Sequence, residues 1–113
     1  MTKGKVVLIP FPFDDLSATK IRPAVCLTNP VGKHCHVILA LITDRIQTDL
    51  LETDIVFDTS HPDFAASGLH KPSTIKLDHL ITVRESLIRR ELGALSPATQ
   101  NQLTEKLCKL LTE

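Results

Sequence analysis

Apolar residues fall in short blocks separated by proline, glycine and polar turns, the pattern of strands more than of long helices. Lys5-Val6-Val7-Leu8-Ile9 is aliphatic and β-branched, and Pro10-Phe11-Pro12-Phe13 follows it. Proline donates no ladder hydrogen bond, so this first strand stops near Ile9 or continues as an edge. Asp14 to Lys20 is polar and turn-rich and reads as an exposed loop. A second strand is expected over Pro23–Thr28, stopped by Asn29-Pro30, with a turn at Val31-Gly32-Lys33. His36–Thr43 is apolar at nearly every position, as in a strand buried on both faces. Asp54–Asp58 is a fourth short strand, and 59–71 a connecting loop or short helical turn. Thr74–Asp78 alternates and reads as a fifth strand, exposing Thr74, Lys76 and Asp78 on one face.

Two helical signals close the chain. Thr82-Val83-Arg84-Glu85 has the form of a capping box, with Gly93 placed to end a short helix near Leu92. Ser96 then precedes Pro97 at a first helical position, and Leu103, Leu107, Leu110 and Leu111 follow helical spacing. Short strands followed by one amphipathic helix predict a mainly β fold: a small, strongly bent sheet or barrel closed by a C-terminal helix. One domain over 1–113 is expected, without internal repeats.

Composition narrows the class more than the chemistry. With 42% hydrophobic and 23% charged residues, disorder, collagen and coiled coil are excluded. The longest apolar runs, such as Val37–Ile42, fall well short of the roughly 18 residues of a membrane span. The N-terminal segment lacks the form of a signal peptide, so a soluble, cytoplasmic protein away from membranes is expected. Lys plus Arg equals Asp plus Glu at 13 each, so any role with nucleic acid must rest on where the charges lie. Cys26, Cys35 and Cys108 form no C-x-x-C pair, which excludes a zinc ribbon or redox pair and points to buried, reduced thiols.

Individual side chains leave alternatives open. Arg22, held before Pro23 at a strand start, suits a bidentate phosphate clamp or an exposed surface position. Thr43 stands where a buried strand emerges, as a functional hydroxyl or a backbone-satisfying strand end. Lys76 and Asp78 offer a cation and a carboxylate to one groove, or an ion pair of little worth. His34 and His36 lack an evident third metal ligand, and His79 should face away from its neighbour Asp78. Phe11 and Phe13 flank the polar loop, placed to stack on bases or to pack in the core. No P-loop, dinucleotide fingerprint or nucleophile elbow occurs.

Taken in order, a set of motifs resembles the PemK/MazF toxins. These are Gly4–Phe13, Lys20-Ile21-Arg22-Pro23-Ala24-Val25, Ala40-Leu41-Ile42-Thr43-Asp44-Arg45, Gly68–Asp78 and Leu92-Gly93-Ala94-Leu95-Ser96. The resemblance runs from Gly4 to the last helix. It implies an SH3-like barrel with a C-terminal helix, a homodimer, and the toxin of a type II toxin–antitoxin pair whose cognate antitoxin blocks the RNA groove. It further implies cleavage of single-stranded RNA (mRNA) at short sequences, with no cofactor and no metal. By that resemblance Arg22 stabilises the phosphate and protonates the leaving group, Thr43 hydrogen-bonds the scissile phosphate, and Asp78 or a water serves as general base. Lys20, Lys76, Phe13 and Arg45 are the candidate RNA contacts. Two positions depart from the family pattern: Lys5 replaces an acidic residue, and Asp44 replaces a common serine. Asp44, Asp49, Glu52, Asp54, Asp58 and Asp63 also crowd one stretch, with only Arg45 opposing locally. The alternative is a non-catalytic toxin or binding module on the same barrel, acting on a protein target such as DNA gyrase.

Overall fold

The computed structural model describes residues 2–11, 20–45 and 48–113. Six strands form one antiparallel sheet: β1 (Lys5–Phe11), β2 (Lys20–Cys26), β3 (His36–Thr43), β4 (Ile55–Phe57), β5 (Ser73–Arg84) and β6 (Arg90–Ala94). Their order across the sheet is β4-β5-β3-β2-β1-β6, curled into a half-barrel. A short helix, α1 (Phe64–Ser67), precedes β5, and α2 (Pro97–Thr112) closes the chain. The mainly β architecture with a C-terminal helix is thus present. β1 runs on through Pro10 to Phe11, pairing there with β2 alone because its β6 ladder ends at Leu8↔Arg90. Beyond Leu8 its β6 side carries no ladder, so Pro10 sits where a strand tolerates it.

Strand alternation divides the interior into two clusters on opposite faces of the sheet. Val6, Val25, Ala40, Ile42, Ile75 and Leu77 pack with Leu95 and with Leu103 of α2. Val7, Ile9, Phe11, Ala24, Cys26, Val37, Leu39 and Val83 fill the other face. β5 serves both by bending: Lys76 pairs with Leu41 and Leu80 with the next residue back, Ala40, so Leu77, Asp78 and His79 are extra. Such an insertion re-aims side chains and increases the local bend.

Three expectations are corrected here. Residues 82–84 extend the β5 ladder against β3, and Glu85 accepts a hydrogen bond from the Thr2 hydroxyl (3.0 Å), so the capping-box pattern starts no α-helix. Gly93 lies inside β6, where a Cβ would run into the Ala66 carbonyl oxygen of α1. Gly68, at φ +76°, meets β6 reciprocally at the Leu92 carbonyl, so these two glycines let the α1 segment sit backbone-to-backbone on β6. Among the thiols only Cys26 is buried, which pushes it up to about 11; Cys35 and Cys108 are exposed.

The final helix follows its pattern. Ser96 accepts from the Thr99 N–H, and Asp63 in turn accepts from the Ser96 N–H (2.8 Å) and hydroxyl (2.7 Å). Leu103 is in the core and Leu107 packs against it, while Leu111 in the last turn is exposed. Among the described residues no helix is long and apolar enough to cross a membrane.

Candidate functional site

Pro23 shapes the site. It pairs with Leu8 on β1, but the ladder between β2 and β3 ends one residue away, at Ala24↔Leu41. Proline has no N–H with which to carry the ladder on. Beyond that pair the two strands flank a groove of about 310 Å³. Leu8, Pro23, Ile42, Leu69 and Leu92 provide apolar walls, and Arg22, Asp44 and Lys71 are polar groups among them. The wall carrying Gly68 and Leu69 is held against β6 by the glycine contacts described above.

Arg22 and Thr43 stand on the two strands that flank this split. Alternation from Ala24 and Leu41 places both on one face of the sheet, that of Ile9, while Pro23 and Ile42 of the groove walls point to the other. Of the two, Arg22 borders the groove and Thr43 does not. Thr43 pairs across β5 with Thr74, and its Oγ1 accepts the Arg45 N–H at 3.2 Å. That bond uses an acceptor lone pair and leaves the hydroxyl proton for another partner. Arg22 is half-buried and has no hydrogen-bonding or ionic partner among the described residues. Every other described Lys or Arg that is shielded from solvent has one. Lys5 pairs with Glu91 at 2.7 Å, Lys76 with Asp54 at 2.9 Å, and Lys106 donates to the Glu52 carbonyl. A half-desolvated guanidinium left without a counter-ion is poised for an anion from outside.

Most of the acidic stretch is matched by cations and donors, several of them from distant parts of the chain. Asp44 faces Lys71 at 3.9 Å, Glu52 pairs with Lys109, and Asp54 with Lys76. Asp58 accepts from Ser60, and Asp63 from Ser96. Hydrogen bonding to Lys109 first, and its charge second, hold the Glu52 carboxyl below its usual range; Lys109 is raised in return.

A model of the PemK-like, MazF-like toxin family of type II toxin–antitoxin systems matches residues 2–111. The chain belongs to this family. Solved structures with the same fold include the Mycobacterium tuberculosis toxin MazF-mt6, 23% identical over 96% of each chain at a TM-score of 0.71. An endoribonuclease in complex with its cognate antitoxin, from mycobacterial species, is 18% identical over 99% of this chain and 95% of that one, at 0.71. The MazE–MazF complex of Deinococcus radiodurans is 16% identical over 99% and 96%, at 0.67. No curated protein matches the sequence.

Not all the residues suggested for this MazF-like chain come together. Lys76 is corrected: it is buried, not exposed with Thr74 on an open strand face, because the segment before β4 lays Asp54 against its ammonium group. It has no free face for RNA. Asp78 lies in the inserted part of β5, 3.7 Å from Lys76 and 3.6 Å from His79, and is not among the groove walls. The expected opposite orientation of Asp78 and His79 fails because the insertion breaks strict alternation. Lys20 is exposed at the start of β2 opposite Phe11, and Arg45 is exposed just past β3. Phe13 lies outside the described residues. Among the described residues no three His, Cys, Asp or Glu side chains gather as a metal site. Lys71 was missed as a groove residue. It sits inside the Gly68–Asp78 motif, but nothing in the sequence shows that this motif folds back towards Asp44.

Proposed function

We propose that this toxin cleaves single-stranded RNA where β2 and β3 part, on the sheet face that carries Arg22 and Thr43. The observation that carries the proposal is the half-buried Arg22 guanidinium, without a partner among the described residues, on the same sheet face as the Thr43 hydroxyl. The similar structure described as an endoribonuclease supports the same reading. In the reaction the 2′-oxygen of one nucleotide attacks the adjacent phosphorus and the P–O5′ bond breaks, giving a 2′,3′-cyclic phosphate and a 5′-hydroxyl end. Charge grows on the phosphoryl oxygens as the attack proceeds. Arg22 donates two N–H bonds to that charge, and Thr43 donates its free hydroxyl proton. Arg22 is a poor base because it does not give up its proton near neutral pH. The 2′-hydroxyl proton passes to a water, since Asp78 is not among the groove walls, and the leaving O5′ gains one from solvent. Protein groups thus supply the charge stabilisation without calling on a metal. The active form is a homodimer in the cytoplasm, and a cognate antitoxin silences it by covering the groove.

The test is incubation of the purified protein with a long RNA in EDTA, mapping the new ends. Discrete cuts that disappear when the nucleotide at the cut carries a 2′-deoxy sugar are expected. Cuts that persist in the deoxy substrate would overturn the mechanism. RNA left intact by a folded, growth-arresting protein would overturn the activity and favour a protein target.

A further inference from the structure

We infer that Asp44, with Lys71 beside it, reads a guanine base of the RNA strand in the groove next to Arg22. The inference rests on the ribonuclease reading above and deepens it. Asp44 is one of the two positions at which this chain leaves the pattern of the family it resembles, and the structure puts that departure in the groove wall. Its Oδ2 lies 3.9 Å from Lys71 Nζ, too far for a hydrogen bond, and no described residue donates one to either carboxylate oxygen. The pair therefore presents two open acceptors beside one open donor, joining the end of β3 to the segment before β5.

Only one base matches that order. The Watson–Crick edge of guanine carries an acceptor, O6, followed by two donors, N1–H and the N2 amino group. Lys71 can serve O6 while the two Asp44 oxygens take the adjacent N–H groups, a bidentate arrangement. Uracil would set its O2 against the carboxylate. Cytosine would set N3 and O2 there, and adenine N1. Each of these mismatches faces a lone pair towards an anion. The groove also suits a flat ring. Its walls at Leu8, Pro23, Ile42 and Leu92 are apolar, and its volume of about 310 Å³ is at the small end of ligand-binding cavities, about 300–1,000 Å³. Single-stranded RNA is read in this way, with an unstacked base lodged between side chains and bonded along its edge. Arg22 in the same groove fixes the strand through its phosphate while Asp44 selects the base.

The experiment uses a short RNA carrying a mapped cut site, with each guanine in turn replaced by inosine, which lacks only the N2 amino group. At one guanine the exchange is expected to lower kcat/KM by about tenfold to a hundredfold, the effect of removing one hydrogen bond to a charged group. In Asp44→Asn the mapped sites should lose their guanine preference at that position, and the inosine effect should fall to less than about threefold. The inosine series on the unaltered protein reads the contact independently of how the variant folds. Cut sites with no guanine preference, or an Asp44→Asn protein that keeps the same preference, would overturn the assignment. So would a variant with unchanged cut sites and weakened binding of the antitoxin, which would give the groove to a protein partner. Intact RNA with the unaltered protein would instead remove the activity on which the inference stands.

Discussion

Lys76 and Arg22 make an instructive pair. Both are cations on sheet strands, and both belong to motifs that resemble those of the family. Lys76 is buried, its ammonium group 2.9 Å from an Asp54 carboxylate that also accepts the Leu51 N–H. Arg22 is half-buried, with no partner among the described residues. The first cation has used its charge inside the fold; the second has kept it. Burial together with the presence or absence of a counter-charge, and not residue type or spacing, separates a cation that holds the protein together from one available to a substrate.

The contrast breaks first at Lys76. Lys76→Ala would strand the Asp54 carboxylate, whose Oδ1 already lacks a partner. Losing one member of a buried pair typically costs about 3–5 kcal/mol. Urea denaturation should show a loss of that size, and a loss under about 1 kcal/mol would mean that the pair is wetter and weaker than its geometry indicates.

A smaller effect is expected where the acidic stretch caps α2. Burial pushes the Asp63 carboxyl up, but hydrogen bonds from Thr99 and Ser96 outweigh it and hold the group below its ordinary 3.8. The folded protein therefore binds this proton less readily than the unfolded chain does. The stabilisation is complete above about pH 4 and fades as the pH falls through the lowered value. Asp63→Asn should remove that part of the acid dependence, and Ser96→Ala should cost about 1 kcal/mol through the lost cap. Thermal melts between pH 2 and 7 would check both, and an unchanged acid limb in Asp63→Asn would show that the carboxylate is not held as described.

Much of the fold was legible because local rules and tertiary packing agreed. The apolar run at His36–Thr43 is β3 to the residue, and Ser96-Pro97 with Leu103 marks α2 as it stands. Where they disagreed, packing won. The Thr82–Glu85 pattern is a valid helix start, yet pairing with β3 outweighs its local preference. The candidate site was half legible. Arg22 and Thr43 were readable through resemblance, and the β2–β3 register explains why they share a face. Lys76 was misread because nothing near it in sequence reveals Asp54, 22 residues away, as its partner. The acidic stretch showed only Arg45 opposing it for the same reason: Lys71, Lys76 and Lys109 reach it only in the fold.

The most direct test is Arg22→Ala, measured for RNA cleavage and for stability on the same preparation. A guanidinium with no partner among the described residues contributes little to the fold, so stability should change by no more than about 0.5 kcal/mol. Cleavage should fall by about a hundredfold to a thousandfold, as when one transition-state donor is removed. Cleavage that survives in a stable variant, or a variant that unfolds as Lys76→Ala is expected to, would contradict the account.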